Sequence, residues 1–356
     1  MKNKLKQIIN GVILLLFISF TFYIVFKNNN INVIIDNIKN VKIIYIIIAF
    51  FCMFIFVLCE GINIKKVLNT LNTKITFLHS FKYALVGFFF SSITPASSGG
   101  DPAQLYFMNK DNVPLSASVI SLLTEHASFQ LITCILALIG FIFNYNNLIN
   151  SIGNIKYLLF LGIFINIIYL TILVLMIFSK KISVTLINYI YKILNKLHYK
   201  NSTKFYEKSL KVLNEYNNCS LYLKSHKSMF IKIFITSLIQ ILFFYSIPYF
   251  IYLSFGLHDA SIFNFILLQA VIYTSVSSLP FPGSVGVSEG SFMIVFKLLF
   301  PINLLSSAMI LDRAISYYIF VLISGLLLLL FSIIEKYKKR KSCDKILRNG
   351  SEYNEI

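Results

Sequence analysis

Of 356 residues, 57% are hydrophobic and 13% charged, about half the soluble norm, and the mean hydropathy is +0.76. That composition excludes a soluble helical protein, which would expose too much apolar surface to stay dispersed. The formal net charge of +18 does not signal nucleic-acid binding, because the lysines fall between apolar runs without a recognition motif; an anionic membrane surface is the expected partner.

The chain opens "MKNKLKQIINGVILLLFISFTFYIVF", a basic head before a long apolar run. It lacks the short core and small-residue cleavage site of a removable signal, so an uncleaved span is predicted over 8–26. A second span is predicted over 42–59, followed by Lys65, Lys66 and Lys74. The next apolar stretch, 81–112, is interrupted by "SSITPASSGGDPAQLYFMNK". A span over 115–143 follows, then "NYNNLINSIGN" without Lys or Arg, then a span over 157–178. Ten lysines crowd the segment 179–229. Beyond it come a span over 230–254, the Lys-free "SFGLHDAS", a second interrupted stretch over 262–300, a span over 304–333 and a basic tail, 336–356.

The positive-inside rule places both termini, the Lys65–Lys74 connection and the 179–229 linker in the cytoplasm. Lys27, Lys39 and Lys42, on the first outer connection, run against it. Parity then decides the interrupted stretches. Each must dip into the bilayer and return to the side it left, or the loops on either side of it cannot fall where their charges put them. The expected fold is an all-α polytopic membrane protein of about six full spans plus two re-entrant helical hairpins. Span, span, hairpin, span describes 8–143 and again 157–333 with directions reversed, an inverted-topology repeat. Residues 1–335 form the membrane domain and 336–356 a cytoplasmic tail.

Irregular backbone at membrane depth is tolerated only against protein or a wet cavity. Four of the seven prolines, Pro95, Pro102, Pro280 and Pro282, fall in the two interruptions. In the first, "DPAQ" reads as a helix start, with Asp101 as N-cap, Pro102 at N1 and Gln104 at N3, after a left-handed turn at Gly99 and Gly100. In the second, "SLPFPGSVGVSEG" uses Pro282, Gly283 and Gly286 and sets Glu289 early in the returning half-helix. Two half-helix N-termini then face each other, and their bare N–H groups suit an anion. The alternative is that Pro and Gly merely kink ordinary spans.

Glu125 and His126 lie within one span and Asp312 and Arg313 in its counterpart, each at roughly 2.5–3.5 kcal/mol if placed centrally. Ser118, Ser121, Glu125 and Ser128 share one helical stripe; Met309, Arg313, Ser316 and Tyr317 share another. Arg340 and Arg348 are in the tail, so Arg313 is the one guanidinium in a span, suited to phosphate or carboxylate. The alternative is a structural Glu125–Arg313 or Asp312–Arg313 pair. The five cysteines have no metal-ligand or disulfide spacing, and no cofactor motif or catalytic constellation is visible.

At "TPASSGGDPAQLYFM", "SLLTEHASFQLI", "LPFPGSVGVSEGSF" and "LDRAISYYI" the chain resembles the membrane region of lysylphosphatidylglycerol synthase, a flippase-like domain, over residues 8 to 335. The resemblance assigns Asp101 to the polar end of a Pro-Gly-rich loop and Glu125 to a membrane Glu-Arg pair, with His126 departing at the second place. It matches Pro282, Gly283, Gly286 and Glu289 to a Gly-rich stretch in which Ser284 replaces a glycine, and Arg313, Tyr317 and Tyr318 to a buried Arg before a tyrosine pair. It implies movement of lysylphosphatidylglycerol or another anionic or aminoacylated phospholipid to the outer leaflet of a bacterial cell membrane, lowering susceptibility to cationic antimicrobial peptides. In the full synthase a separate cytosolic domain transfers lysine from lysyl-tRNA to phosphatidylglycerol. With only 336–356 after the last span, catalysis by this chain alone is not expected; a separate aminoacyltransferase is a possible partner. The alternatives are a phosphatidylglycerol lysyltransferase or its membrane subunit, and a small-solute or ion transporter. An oligomer is compatible with either.

Overall fold

The computed structural model describes residues 31–94, 97–145, 156–196, 202–277 and 286–334. The predicted span 8–26, the tip residues Pro95, Pro280, Pro282, Gly283 and Ser284, and the tail 336–356 lie outside them.

The described residues are helical, without strands: α1 (Ile31–Lys39), α2 (Ile43–Thr70), α3 (Phe77–Ser92), α4 (Gly100–Lys110), α5 (Leu115–Phe143), α6 (Lys156–Phe178), α7 (Lys180–Lys196), α8 (Ser202–Ser225), α9 (Lys227–Tyr245), α10 (Ile247–Ser254), α11 (Ile262–Val276), α12 (Val287–Val295) and α13 (Ile302–Arg313). A π-helical turn, Ala314–Tyr318, joins α13 to α14 over 319–334. Five segments are long and apolar enough to cross a bilayer: Ile43–Thr70, Leu115–Phe143, Leu161–Phe178, Lys227–Ser254 and Ile302–Ile334. They coincide with five of the six predicted spans, and the chain is an all-α polytopic membrane protein.

Both interrupted stretches are helical hairpins that return to their starting level. In the first, Lys82 and Tyr83, near the start of α3, reach Asp111, just past the end of α4: Lys82 Nζ and the Tyr83 hydroxyl donate to Asp111 Oδ2 at 2.7 and 2.8 Å. Lys82 is nearly fully buried, so this ion pair locks the base of the hairpin. In the second, Phe265 near the start of α11 packs its ring 5.4 Å from Phe296 and 5.7 Å from Phe300, beyond the end of α12. Sixteen residues of α3 rise only about 24 Å, short of the roughly 30 Å hydrocarbon core, so a limb that turns back is the natural outcome.

Local sequence chemistry repeats in the two halves. Each first limb starts at a hydroxyl N-cap: Thr76 accepts from the His79 N–H and Ser261 from the Asn264 N–H. Each following span starts behind a proline N-cap, Pro114 for α5 and Pro301 for α13. The same pairs of elements also touch in each half: second span with first limb, limb with limb, returning limb with third span, and second span with third. The halves join along α2 and α9–α10, which run antiparallel through Asn63 with Ser237 (2.9 Å), Phe56 with Phe244 (ring centroids 4.6 Å) and the Lys42 N–H donating to the Ser254 carbonyl (2.8 Å). Close approach presses the second hairpin onto its neighbours: a Cβ on Gly162 of α6 would stand 2.6 Å from the Ser275 Cα of α11.

In the 179–229 linker, Lys180–Lys196 and Ser202–Ser225 are helical. Within it, α8 presents Tyr216, Ser220 and Lys224 at helical spacing, and their side chains donate to the Met176, Ile177 and Phe178 carbonyls at the end of α6. Those carbonyls have no partner within their own helix, so α8 acts as the cap of α6.

Candidate functional site

The helix start predicted at "DPAQ" is corrected. The N-cap of α4 is Gly99, at φ −89°, and Asp101 and Pro102 are already helical. Among the described residues of this tip, the left-handed one is Ser97, at φ 53°. Gly99 and Gly100 serve closeness instead: a Cβ at Gly100 would meet Ser91 Oγ at 2.0 Å and the Gly87 carbonyl at 2.9 Å. The Gly99 N–H is taken by Thr94 Oγ1 at 2.8 Å. Gln104 does not complete a capping box. It is buried and donates to Glu60 Oε1 (2.9 Å) and the Tyr83 carbonyl (3.0 Å), holding α4 against α2 and α3.

Freed from capping, Asp101 faces the next span. His126 Nε2 lies 2.9 Å from Asp101 Oδ1, and its Nδ1 lies 2.6 Å from Glu125 Oε2. Both ring nitrogens therefore face carboxylate oxygens, and Glu125 is 4% exposed. Glu60 on α2 lies within electrostatic reach of the same three residues, bringing three carboxyl groups around one imidazole. Glu60 was missed because the predicted second span stopped one residue short of it, whereas α2 continues to Thr70. Its signal was present: a lone carboxylate in "FVLCEGINI", apolar on both flanks.

The second tip is built differently. Gly286, at φ +89°, is the N-cap of α12, a conformation that favours glycine. Glu289, at N3, folds back so that Oε2 accepts the Gly286 N–H at 2.6 Å and the Ser288 hydroxyl at 3.1 Å. Its Oε1 accepts Arg313 Nε–H at 2.8 Å and the Tyr318 hydroxyl at 3.2 Å. The expected bare N-terminus is thus occupied by the protein's own carboxylate, 3% exposed and held by four donors. Arg313 pairs here with Glu289, and Glu125 with His126, rather than with each other as in the structural alternative.

The π turn explains how one arginine gathers both tyrosines. Widening the turn by a residue brings i+4 and i+5 to flank i, and the Arg313 guanidinium lies 4.6 Å from the Tyr317 ring and 5.8 Å from that of Tyr318. Tyr317 then donates its hydroxyl to the Ser92 carbonyl at 2.7 Å, at the end of α3. One side chain therefore ties the first tip to the Arg313–Glu289 group of the second. An acid from each returning limb meets a base on the third span of its half: Asp101 with His126, Glu289 with Arg313.

The lysylphosphatidylglycerol synthase TM region family model matches residues 7–325. The chain belongs to this family. Among curated proteins, this member of the lysylphosphatidylglycerol synthase TM region family is 24% identical over 302 residues to a UPF0104 membrane protein of Archaeoglobus fulgidus, covering 83% of this chain and 89% of the relative. The match spans both hairpins, so the two acid–base pairs lie inside the family region.

Proposed function

We propose that this protein is a phospholipid translocase that passes a headgroup between its two halves. The observation carrying this reading is the Glu289 carboxylate, set at a half-helix N-terminus under four donors, Arg313 among them. A nest of N–H and O–H donors around a movable carboxylate is chemically a phosphate site with a resident stand-in. Displacing Glu289 would give the lipid phosphate the same donors. The three carboxyl groups around His126 complement a cationic amine, which fits an aminoacylated headgroup such as that of lysylphosphatidylglycerol. Outward movement of such a lipid across a bacterial cell membrane, with both termini cytoplasmic, would lower surface negative charge and with it susceptibility to cationic antimicrobial peptides. A separate cytosolic aminoacyltransferase would supply the lipid.

The test is outer-leaflet headgroup labelling in cells and in reconstituted vesicles. Arg313→Ala removes a hydrogen bond to a charged group, about 1.5–3 kcal/mol, so exposure of the lipid should fall about tenfold or more. Unchanged exposure contradicts the reading. Synthesis of lysyl-lipid by the purified chain from lysyl-tRNA and phosphatidylglycerol would favour an enzyme, and solute flux in vesicles without transportable lipid would favour a solute carrier.

A further inference from the structure

The two halves carry the same acid–base dipeptide, Glu125–His126 on α5 and Asp312–Arg313 on α13, but use it differently. In the first half the acid engages its neighbouring base, Glu125 Oε2 lying 2.6 Å from His126 Nδ1. In the second half the base turns to Glu289, and Asp312, 4% exposed, keeps an Oδ1 with no hydrogen-bond partner. An ionised carboxylate buried with an oxygen that no donor reaches costs several kcal/mol, whereas the neutral acid avoids most of that cost. The charged groups within reach of Asp312 are Arg313 on its own helix and Glu289 on α12. Of the other elements packed on α13, α10 contributes no charged residue, and the turn 296–298 carries Lys297, which is not among the charges within reach of Asp312. α1 approaches the opposite end of α13, where Asn37 donates to the Asn303 carbonyl and Ser307 Oγ. The π turn after Arg313 adds only the hydroxyls of Tyr317 and Tyr318.

We infer that Asp312 is a proton-binding residue that controls the phosphate site: carrying a proton it leaves Arg313 to an anion, and on losing the proton it takes Arg313 as partner, as Glu125 takes His126 in the other half. Inverted repeats exchange conformations between halves, so the engaged pair of one half depicts a state open to the other. This rests on the proposed phosphate site and names its regulation. Proton and anion binding are then linked with positive sign, and acidification strengthens anion binding.

The experiment titrates short-chain phosphatidylglycerol, with inorganic phosphate in parallel, onto the full chain in nanodiscs over a pH series. Infrared spectra of the ligand-free protein are recorded over the same series. For the native protein, affinity should weaken about tenfold from acid to alkaline pH. Asp312→Asn should bind at every pH as the native protein does in acid, and Asp312→Glu should restore the dependence. The infrared carboxylic-acid C=O band should lose, in the Asn variant, a component that the native protein holds. A pH-independent native affinity, a dependence that survives Asp312→Asn, or an unchanged infrared band overturns the inference. Binding of inorganic phosphate alone, with the Asp312 dependence intact, upholds the proton link and overturns the lipid reading. Absence of any anion binding overturns the phosphate site itself, and with it the control assigned to Asp312.

Discussion

Glu289 shows how one side chain can hold a site ready. Its carboxylate satisfies the N–H of Gly286, the N-cap of α12, neutralises Arg313 and accepts from Tyr318, so removing it would take a partner from several buried donors. Tyr317 has a separable role. Tyr317→Phe keeps the ring against Arg313 but loses the bond to Ser92, at about 0.5–1.5 kcal/mol; Tyr317→Leu also forfeits the cation–π contact, about 0.5–2 kcal/mol more. Thermal unfolding in detergent should rank native, Phe, Leu in falling order, and equal losses for the two variants would contradict the contact. At this scale Arg313, Glu289, Glu125 and Asp101 were legible because charge in an apolar run is costly and therefore conspicuous. Their partners were not legible. Asp101 looked like a cap because its neighbours spell one, and only the packing of α4 on α5 reveals that His126 outbids the backbone for it.

The hairpins depend on their bases as much as on their tips. Lys82 is almost wholly buried, with its Nζ 2.7 Å from Asp111 Oδ2. Asp111→Ala takes the carboxylate partner from that buried ammonium and should cost about 3–5 kcal/mol, while Lys82→Met with Asp111→Leu should recover much of it. Equilibrium unfolding of the single and double variants checks this, and a single variant as stable as the native protein would contradict a locked base. The hairpins themselves could be read from the sequence, since Pro and Gly clustered inside apolar stretches leave few alternatives. The π turn could not, because "AISYY" contains ordinary helix residues and its widening is set by the tertiary demand that both tyrosines flank Arg313. The caps that α8 lays over the end of α6 were equally hidden, as the 179–229 segment advertises only its lysines.

For the molecule as a whole, the repeat followed from counting crossings rather than from likeness between the halves. The coordinates add to that count the paired hydroxyl caps at Thr76 and Ser261, the paired prolines at Pro114 and Pro301, and matched neighbours for each element. Beneath that symmetry the two sites differ: one half holds an acid-rich group around His126, the other an arginine under its own carboxylate. On the proposed function, that difference would give the phosphate and the amine of one aminoacylated headgroup different places to bind. It all requires that the hairpins enter from opposite faces and leave by the face they entered. Single cysteines at Leu78 and Asn112, and separately at Ser261 and Ile302, in a background lacking the native cysteines, can be reacted with a membrane-impermeant maleimide from either side. The first pair should label from one face only and the second pair from the opposite face; labelling of Leu78→Cys and Asn112→Cys from different faces would contradict the fold's central feature.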